Sequence, residues 1–353
     1  MSAHDMSARV RFAPSPTGSL HLGNALVATA NRGFADSHAG VLVLRIDDTD
    51  PERVVEGGEE SILEDLRWLG LRWEEGPVRQ SERADVYADA ARQALANGAE
   101  RDPDGAIRLG RTTLVRADGS ATYQLATVAD DLEMRITHVI RGADHRPNES
   151  LHQEIAAALG GEYPEVIHVG LLLGEDGKKL SKRHGPVAVA DLRRDGIPAA
   201  ALRAYLDELD LPTHDIQLDR GRIGRLAIDA IAAMTDADLA AAAEAPVQAV
   251  AALRGARTLA EAAEIAAQLA RRPEGAPPPE AVPTLDRFAE LRRGAPGPLD
   301  QAAARAILRE LKAVGGDLRA LRRALTGVER GPELWAVLVA LPEDEALARA
   351  AAR

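Results

Sequence analysis

The stretch Arg9-Val-Arg-Phe-Ala-Pro-Ser-Pro-Thr-Gly-Ser-Leu-His-Leu-Gly-Asn24 decides how this chain folds. Arg9 to Ala13 reads as a strand, Ala25 to Ser37 as an amphipathic helix, and Pro14–Asn24 as the turn between them. Such a turn aims several backbone N–H groups and the positive end of a helix at one spot, which suits a phosphate. Outward from it, Gly40 to Ile46 is a continuous apolar run, the pattern of a parallel strand covered on both faces. Glu59 to Leu69 reads as a helix with Ile62, Leu63, Leu66 and Leu69 on one face and Gly70 as its stop. Ile136 to Arg141 and Val166 to Leu171 read as further strands, with a helix from Glu149 to Leu159 between them. This βαβ rhythm predicts an α/β fold with a Rossmann-like, doubly wound parallel sheet, whose ligands sit beyond the carboxyl ends of the strands. Pro14–Asn24, Asp47–Asp50 and Arg141–His145 all fall at such ends.

Composition sets the outer limits. The 353 residues suffice for two or three domains, and 46% hydrophobic with 28% charged residues is a globular balance. The absence of cysteine excludes disulfides, thiolate zinc sites and a cysteine nucleophile. No apolar run approaches a membrane span and the first ten residues lack a signal-peptide core, so a cytoplasmic protein with no membrane partner is expected. A net charge of −12 argues against indiscriminate nucleic-acid binding while leaving room for a local basic face.

A second motif, Lys178-Lys-Leu-Ser-Lys-Arg183, follows a Gly174-Glu-Asp-Gly177 turn. Its Lys179 and Lys182 flank a serine and form a cationic clamp suited to a triphosphate. A histidine at a helix start, or two lysines beside a glycine turn, is ordinary surface chemistry when found alone. Together and in this order, the two motifs resemble the ATP-binding motifs of class I aminoacyl-tRNA synthetases, in the wording of the glutamyl-tRNA synthetase family. The resemblance implies an ATP-dependent ligase that forms glutamyl-adenylate from L-glutamate and transfers glutamate to the 3′ end of tRNA. His21 would hydrogen-bond phosphate oxygens, and Lys179 and Lys182 would offset charge on the departing pyrophosphate. Gly23 would let the adenine-ribose approach the backbone, Ser181 would donate a further hydrogen bond, and Asn24 and Asp144 complete the ATP-facing set. Mg2+ would accompany the triphosphate; no dedicated metal cage is evident in the sequence.

The same resemblance implies a glutamate pocket made of Arg11, Ser15, Asp47, Tyr123 and Arg141. Arg11 precedes the first motif, and its fork would pair with the substrate's side-chain carboxylate. Asp47, in Arg45-Ile-Asp-Asp-Thr-Asp50, stands where the family commonly carries the longer Glu for the substrate amino group. Two arginines facing one pocket favour a dicarboxylic substrate over glutamine, whose amide would leave a guanidinium unpaired. Asn24, Thr127 and Arg183 depart from the family's usual residues.

Past Ala190 alanine-rich helices take over, with caps expected at Thr235/Asp238 and Thr258/Glu261 and a breaker-rich linker at Arg272 to Glu280. A last basic helical unit has Leu308, Leu311, Leu318 and Leu321 as its expected core. The expected domains are therefore 1–190, catalytic; 191–271, a helical stem-contact-like region; and 272–353, a reduced helical anticodon-binding-like domain, the whole forming a monomer. Arg319, Arg322 and Arg323 are candidates for contact with tRNA phosphates. The family separates its two sheet halves by an inserted domain for the tRNA acceptor end; here only a minimal insertion near 99–122 is present. That departure keeps open a synthetase-derived ligase that works without tRNA. The words Tyr123-Gln-Leu-Ala126 and Arg141-Gly-Ala-Asp144 resemble a glutamyl-queuosine-type synthetase, and a silent paralogue is the third alternative.

Overall fold

The computed structural model describes residues 7–180, 185, 187–274 and 278–351. The chain divides into two compact units, Met1–Leu192 with Leu202–Arg220 and Arg193–Ala201 with Gly221–Arg353.

In the first unit β1 (Arg9–Phe12), α1 (Leu22–Ser37), β2 (Val41–Ile46), α2 (Gly58–Trp68) and β3 (Glu75–Arg79) follow one another, and the strands pair in parallel in the order β1-β2-β3. After α3 (Ala84–Ala96) the minimal insertion forms a small antiparallel meander, β4 (Glu100–Arg101), β5 (Ile107–Leu109) and β6 (Thr112–Val115). Then come α4 (Tyr123–Glu133), β7 (His138–Gly142), α5 (Glu149–Ala158) and β8 (Glu165–Val169), with β7 and β8 parallel. Thr137 N–H donates to the Arg9 carbonyl at 2.8 Å, which lays β7 along the free flank of β1. The order is thus β3-β2-β1-β7-β8, and the chain changes direction across the sheet between β1 and β7. A doubly wound sheet opens its ligand crevice at that switch point.

The alternation within β2 explains why both faces are covered. Leu42 and Leu44 meet Phe12, Ala28 and Leu66 of β1, α1 and α2. Val43 faces the opposite way and packs with Val139 against Tyr87, Leu125 and Ile155 of α3, α4 and α5. β8 ends at Val169, two residues before the expected limit at Leu171. There Gly170 N–H turns to the Pro212 carbonyl at 2.7 Å, and the missing Cβ admits the His214 carbonyl, which would otherwise lie 1.9 Å from it. Two further strands, β9 (Leu172–Leu173) and β10 (Ile216–Gln217), pair in parallel.

α6 (Val189–Arg194) and α7 (Ala199–Leu209) precede the helices of the second unit: α8 (Arg220–Ala233), α9 (Asp236–Ala242), α10 (Val250–Leu253), α11 (Leu259–Ala270), α12 (Val282–Arg293), α13 (Gln301–Ala313), α14 (Leu318–Thr326), α15 (Leu334–Ala340) and α16 (Glu343–Ala351). Thr235 Oγ1 accepts from Asp238 N–H at 3.1 Å and Thr258 Oγ1 from Glu261 N–H at 3.0 Å, the caps expected of those sequences. One core of Leu269, Leu285, Phe288, Leu311, Leu321 and Val337 runs across the boundary expected at 271/272. Leu311 and Leu321 are fully buried, while Leu308 and Leu318 pack at the margin. The fold class is therefore the expected one, a Rossmann-like parallel sheet followed by an all-α region.

Candidate active site

A cleft of about 520 Å³ opens at the carboxyl ends of β1 and β7. Its walls gather residues far apart in sequence: Arg11, Ser15, His21, Gly23, Asn24, Asp47, Tyr123, Arg141, Asp144 and Lys179 all line it. Every expected ATP- or glutamate-facing position that falls within the described residues is thus present in one cavity. Ser181 and Lys182 lie outside the described residues.

The backbone explains the convergence. The Pro14–Gly18 turn is pinned from β2, where Asp47 N–H donates to the Pro14 carbonyl at 3.0 Å, and from the start of α2, where Val55 N–H donates to the Pro16 carbonyl at 3.0 Å. Gly58 lets α2 come this close, since a Cβ there would lie 2.4 Å from the Pro16 carbonyl. Buried Asp65 of α2 accepts from Ser19 Oγ at 2.7 Å and Leu20 N–H at 2.8 Å, fixing the approach to α1. The lysine turn is held at its base, where Leu180 N–H donates to the Leu172 carbonyl at 3.1 Å. The later segment pairs beside α1, where Leu22 N–H donates to the Val187 carbonyl and Val189 N–H to the Leu20 carbonyl, both at 2.8 Å.

At the start of α1, His21 is the helix cap, and its Nδ1 accepts from Gly23 N–H at 3.4 Å. Burial, reinforced by the positive charge of Lys179, lowers the His21 pKa, so the imidazole is neutral near pH 7 and its Nε2–H is the free donor. A Cβ on Gly23 would touch only His21 Nδ1, at 3.8 Å, so the space before that backbone is open to a flat ligand. Across the cleft Lys179 Nζ donates to Asp144 Oδ2 at 2.6 Å. Lys179 is 63% exposed in its side chain, so this pair is solvated and readily exchanged for another anion. The arrangement offers a neutral hydrogen-bond donor, a helix N-terminus and a movable cation around one spot, which is what a polyphosphate requires.

The other end is built from buried charge. Arg141, 5% exposed, donates from Nη1 to His152 Nδ1 at 3.1 Å, while its Nε and Nη2 are buried and have no partner. An unpaired buried guanidinium edge is costly, and an incoming carboxylate would satisfy it bidentately. Arg11 donates from Nε to Asp131 Oδ1 at 3.1 Å. Burial disfavours its charge, but Asp131 and Tyr163 outweigh that, and its pKa ends raised. Fully buried Arg45 donates to the same Asp131 oxygen and to Asp47 Oδ1, each at 2.7 Å. Asp47 is thus already tied to Arg45 within its own turn; burial raises its pKa while Arg45 opposes the rise. Burial likewise raises the Tyr123 pKa, keeping its phenol neutral.

Sequence reasoning did not single out Asp131, His152, Tyr163 or Asp65, and also passed over His145, Arg53 and Thr17 in the cleft wall. The available signal was Asp130-Asp131 on the buried period of α4, beside Ala126 and Thr127. Among the described residues no cluster of three His, Asp or Glu side chains is assembled for a metal ion. In the second unit Arg319 is exposed, Arg323 pairs with Glu329, and half-buried Arg322 donates to the Pro332 carbonyl. The three candidates for tRNA contact therefore differ in how free they are.

Comparison with known proteins gives a consistent picture. Residues 7–100 and 103–219 match the family of tRNA synthetases class I (E and Q), catalytic domain. Glutamate–tRNA ligase 1 of Rubrobacter xylanophilus is 47% identical over 227 residues, covering 57% of this chain and 53% of that protein. The chain thus spans about half the length of that relative and of Glutamate–tRNA ligase 2 of the same organism. The Glutamate–tRNA ligase of Methylobacillus flagellatus is 30% identical over 458 aligned positions, covering 98% of both. Since the chain has 353 residues, more than a hundred of those 458 positions fall opposite gaps in it. The solved structure of a glutamate tRNA ligase from Elizabethkingia meningosepticum superposes with a TM-score of 0.79 at 23% identity, covering 98% of each chain, and shares the fold.

Proposed function

The chain belongs to the class I tRNA synthetase family of the E and Q branch, and we propose that it activates L-glutamate with ATP and passes the glutamyl group to the 3′ end of a tRNA. The observation that carries this reading is Arg141, whose Nε and Nη2 are buried, unpaired and set in the same cleft as Arg11, His21 and Lys179. In the first step a glutamate carboxylate oxygen attacks the α-phosphorus of ATP, the bond to the bridging oxygen breaks, and pyrophosphate leaves. Arg141 and Arg11 orient the substrate, and His21 Nε2–H and Lys179 bear on the phosphates as charge moves to the leaving group. Lys182 and Ser181 belong to the same proposal through the resemblance, as do Gly23, Asn24 and Asp144 on the ATP side, with Mg2+ arriving on the triphosphate. Ser15, Asp47 and Tyr123 complete the glutamate side, with Asp47 reaching the amino group while it keeps Arg45. In the second step a terminal tRNA hydroxyl attacks the carbonyl carbon, AMP leaves, and the hydroxyl proton goes to solvent or phosphate.

The helical regions 191–271 and 272–353 are proposed to contact the tRNA, with exposed Arg319 as the most available of the three arginines. A monomer in the cytoplasm fits this role. No helix among the described residues is long and apolar enough to cross a membrane.

ATP–pyrophosphate exchange with glutamate, measured with and without tRNA, followed by ester formation on the tRNA 3′ end, tests both steps. Exchange plus charging is the expected outcome. Exchange without charging of any tRNA would replace this reading by a tRNA-free ligase, and no exchange under any condition would leave a silent paralogue.

A further inference from the structure

Beneath the cleft lies a buried polar cluster whose inner members the proposed chemistry does not yet use. Arg141 Nη1 donates to His152 Nδ1 at 3.1 Å, and His152 Nδ1 lies 3.1 Å from Tyr163 Oη. Tyr163 Oη donates to Asp131 Oδ2 at 3.1 Å, while the other oxygen of Asp131 accepts from Arg11 and Arg45. His152 Nε2 lies 2.7 Å from Gln124 Oε1. His152 is fully buried and its ring meets the Tyr163 ring edge-on at 5.4 Å.

The donor and acceptor roles are forced. A guanidinium donates only, so His152 Nδ1 must be an acceptor; the ring is then neutral, with its proton on Nε2 and directed to the Gln124 oxygen. An imidazolium here would oppose one donor with another. Burial, with the positive charge of Arg141 next, lowers the His152 pKa to about 4, in line with that tautomer. One guanidinium edge of Arg141 is therefore fixed by His152, and the remaining edge is left to the cleft.

Resting on the glutamate reading above, we propose that His152 is a positioning residue for the substrate carboxylate. Its Nδ1 holds Arg141 in its binding rotamer. Tyr163, which gives its only hydroxyl proton to Asp131, packs edge-on against the same imidazole, so ring packing relates that rotamer to the carboxylate that holds Arg11. The two arginines are thereby aimed as one unit rather than separately. This gives the pocket a defined spacing between its two cationic forks, and hence a preference for a ligand with carboxylates at a matching separation.

Three substitutions separate positioning from packing. His152→Leu fills most of the space without an acceptor, His152→Asn returns an oxygen near the Nδ1 position, and Tyr163→Phe cuts the link to Asp131 alone. In glutamate-dependent ATP–pyrophosphate exchange, His152→Leu should raise KM for glutamate about tenfold or more, as expected for loss of a hydrogen bond to a charged group. KM for ATP should stay unchanged and kcat nearly so. His152→Asn should recover most of the loss, and Tyr163→Phe should give a smaller rise in the same parameter. Nitrogen NMR of the wild-type imidazole should show the neutral Nε2–H form. Equal effects of His152→Leu and His152→Asn, a parallel rise in KM for ATP, or a Nδ1–H ring would each overturn the inference while leaving the glutamate reading intact. Absence of exchange in the wild type would instead sink that reading and this inference with it.

Discussion

Both units bury arginines, and Arg349 of one and Arg141 of the other are used in opposite ways. In the helical unit Arg349 is buried and every donor group has a fixed partner: Nη1 donates to the Leu325 carbonyl at 2.6 Å, Nη2 to the Leu269 carbonyl at 2.7 Å and Nε to Glu345 at 2.7 Å. Leu325 and Leu269 stand near the ends of α14 and α11, where carbonyls lack helical partners and carry the negative end of the dipole. That arginine closes helix ends and has nothing left to offer a ligand. In the α/β unit Arg45 and Arg11 answer to carboxylates, and Arg141 keeps two of its three nitrogens unpaired at a cavity wall. A buried guanidinium satisfied by carbonyls is mortar; one held by a side chain on one edge and left open on the other is a site.

The sharpest break of this comparison is Asp131→Asn. It strands two buried guanidiniums, and a loss of about 3–5 kcal/mol in folding stability is expected, with glutamate-dependent exchange falling sharply. Denaturant unfolding and exchange kinetics check it; unaltered exchange in the folded variant would detach Arg11 from the pocket. Next in size, Arg141→Met should raise KM for glutamate about a hundredfold, from two charged hydrogen bonds lost, with a loss of about 1–2 kcal/mol in stability, because only its Nη1 bond to His152 is made in the free protein. In the helical unit the pattern should invert. Arg349→Leu strands the carbonyls and should cost about 2–3 kcal/mol, read by denaturant unfolding, while exchange kinetics stay as in the wild type. The smallest effect concerns Glu345, whose pKa is lowered to about 2 by hydrogen bonds to Arg272 and Arg349. Its contribution is full above the usual carboxylate range near 4.5 and fades as pH falls from there toward 2. Glu345→Gln should therefore lower the unfolding midpoint at pH 7 and make no difference at the acid end of a pH series.

Much of this was legible in the sequence because the legible part is local. Pro14–Asn24 announces its turn by proline and glycine, and Val41–Ile46 announces a two-faced strand by its apolar run. Pro14–Asn24, Asp47–Asp50 and Arg141–His145 stood out because they sit at strand ends, where a doubly wound sheet places its ligands. The pocket as a set came from the resemblance to the glutamyl-tRNA synthetase family. What stayed hidden depends on pairing across long sequence separations. Arg11 meets Asp131 and Arg45 meets Asp131 only once β1, β2 and α4 have packed. A histidine in the middle of α5 carries no sign of whether its neighbour will be a guanidinium or a leucine. The second unit shows the same limit: Thr235 and Thr258 betray their helix starts, but nothing local says that Arg349 closes two distant helix ends.

The doubly anchored Asp131 also bears on how such a pocket could change over generations. A carboxylate that answers to Arg11 and Arg45 at once makes positions 11, 45 and 131 mutationally coupled, each tolerable only against the background of the others. Drift toward a neutral substrate would have to pass through intermediates that strand a buried charge, or exchange two residues together. The obstacle to new specificity then lies in the layer under the pocket, and its surface could be rewritten freely without ever removing it.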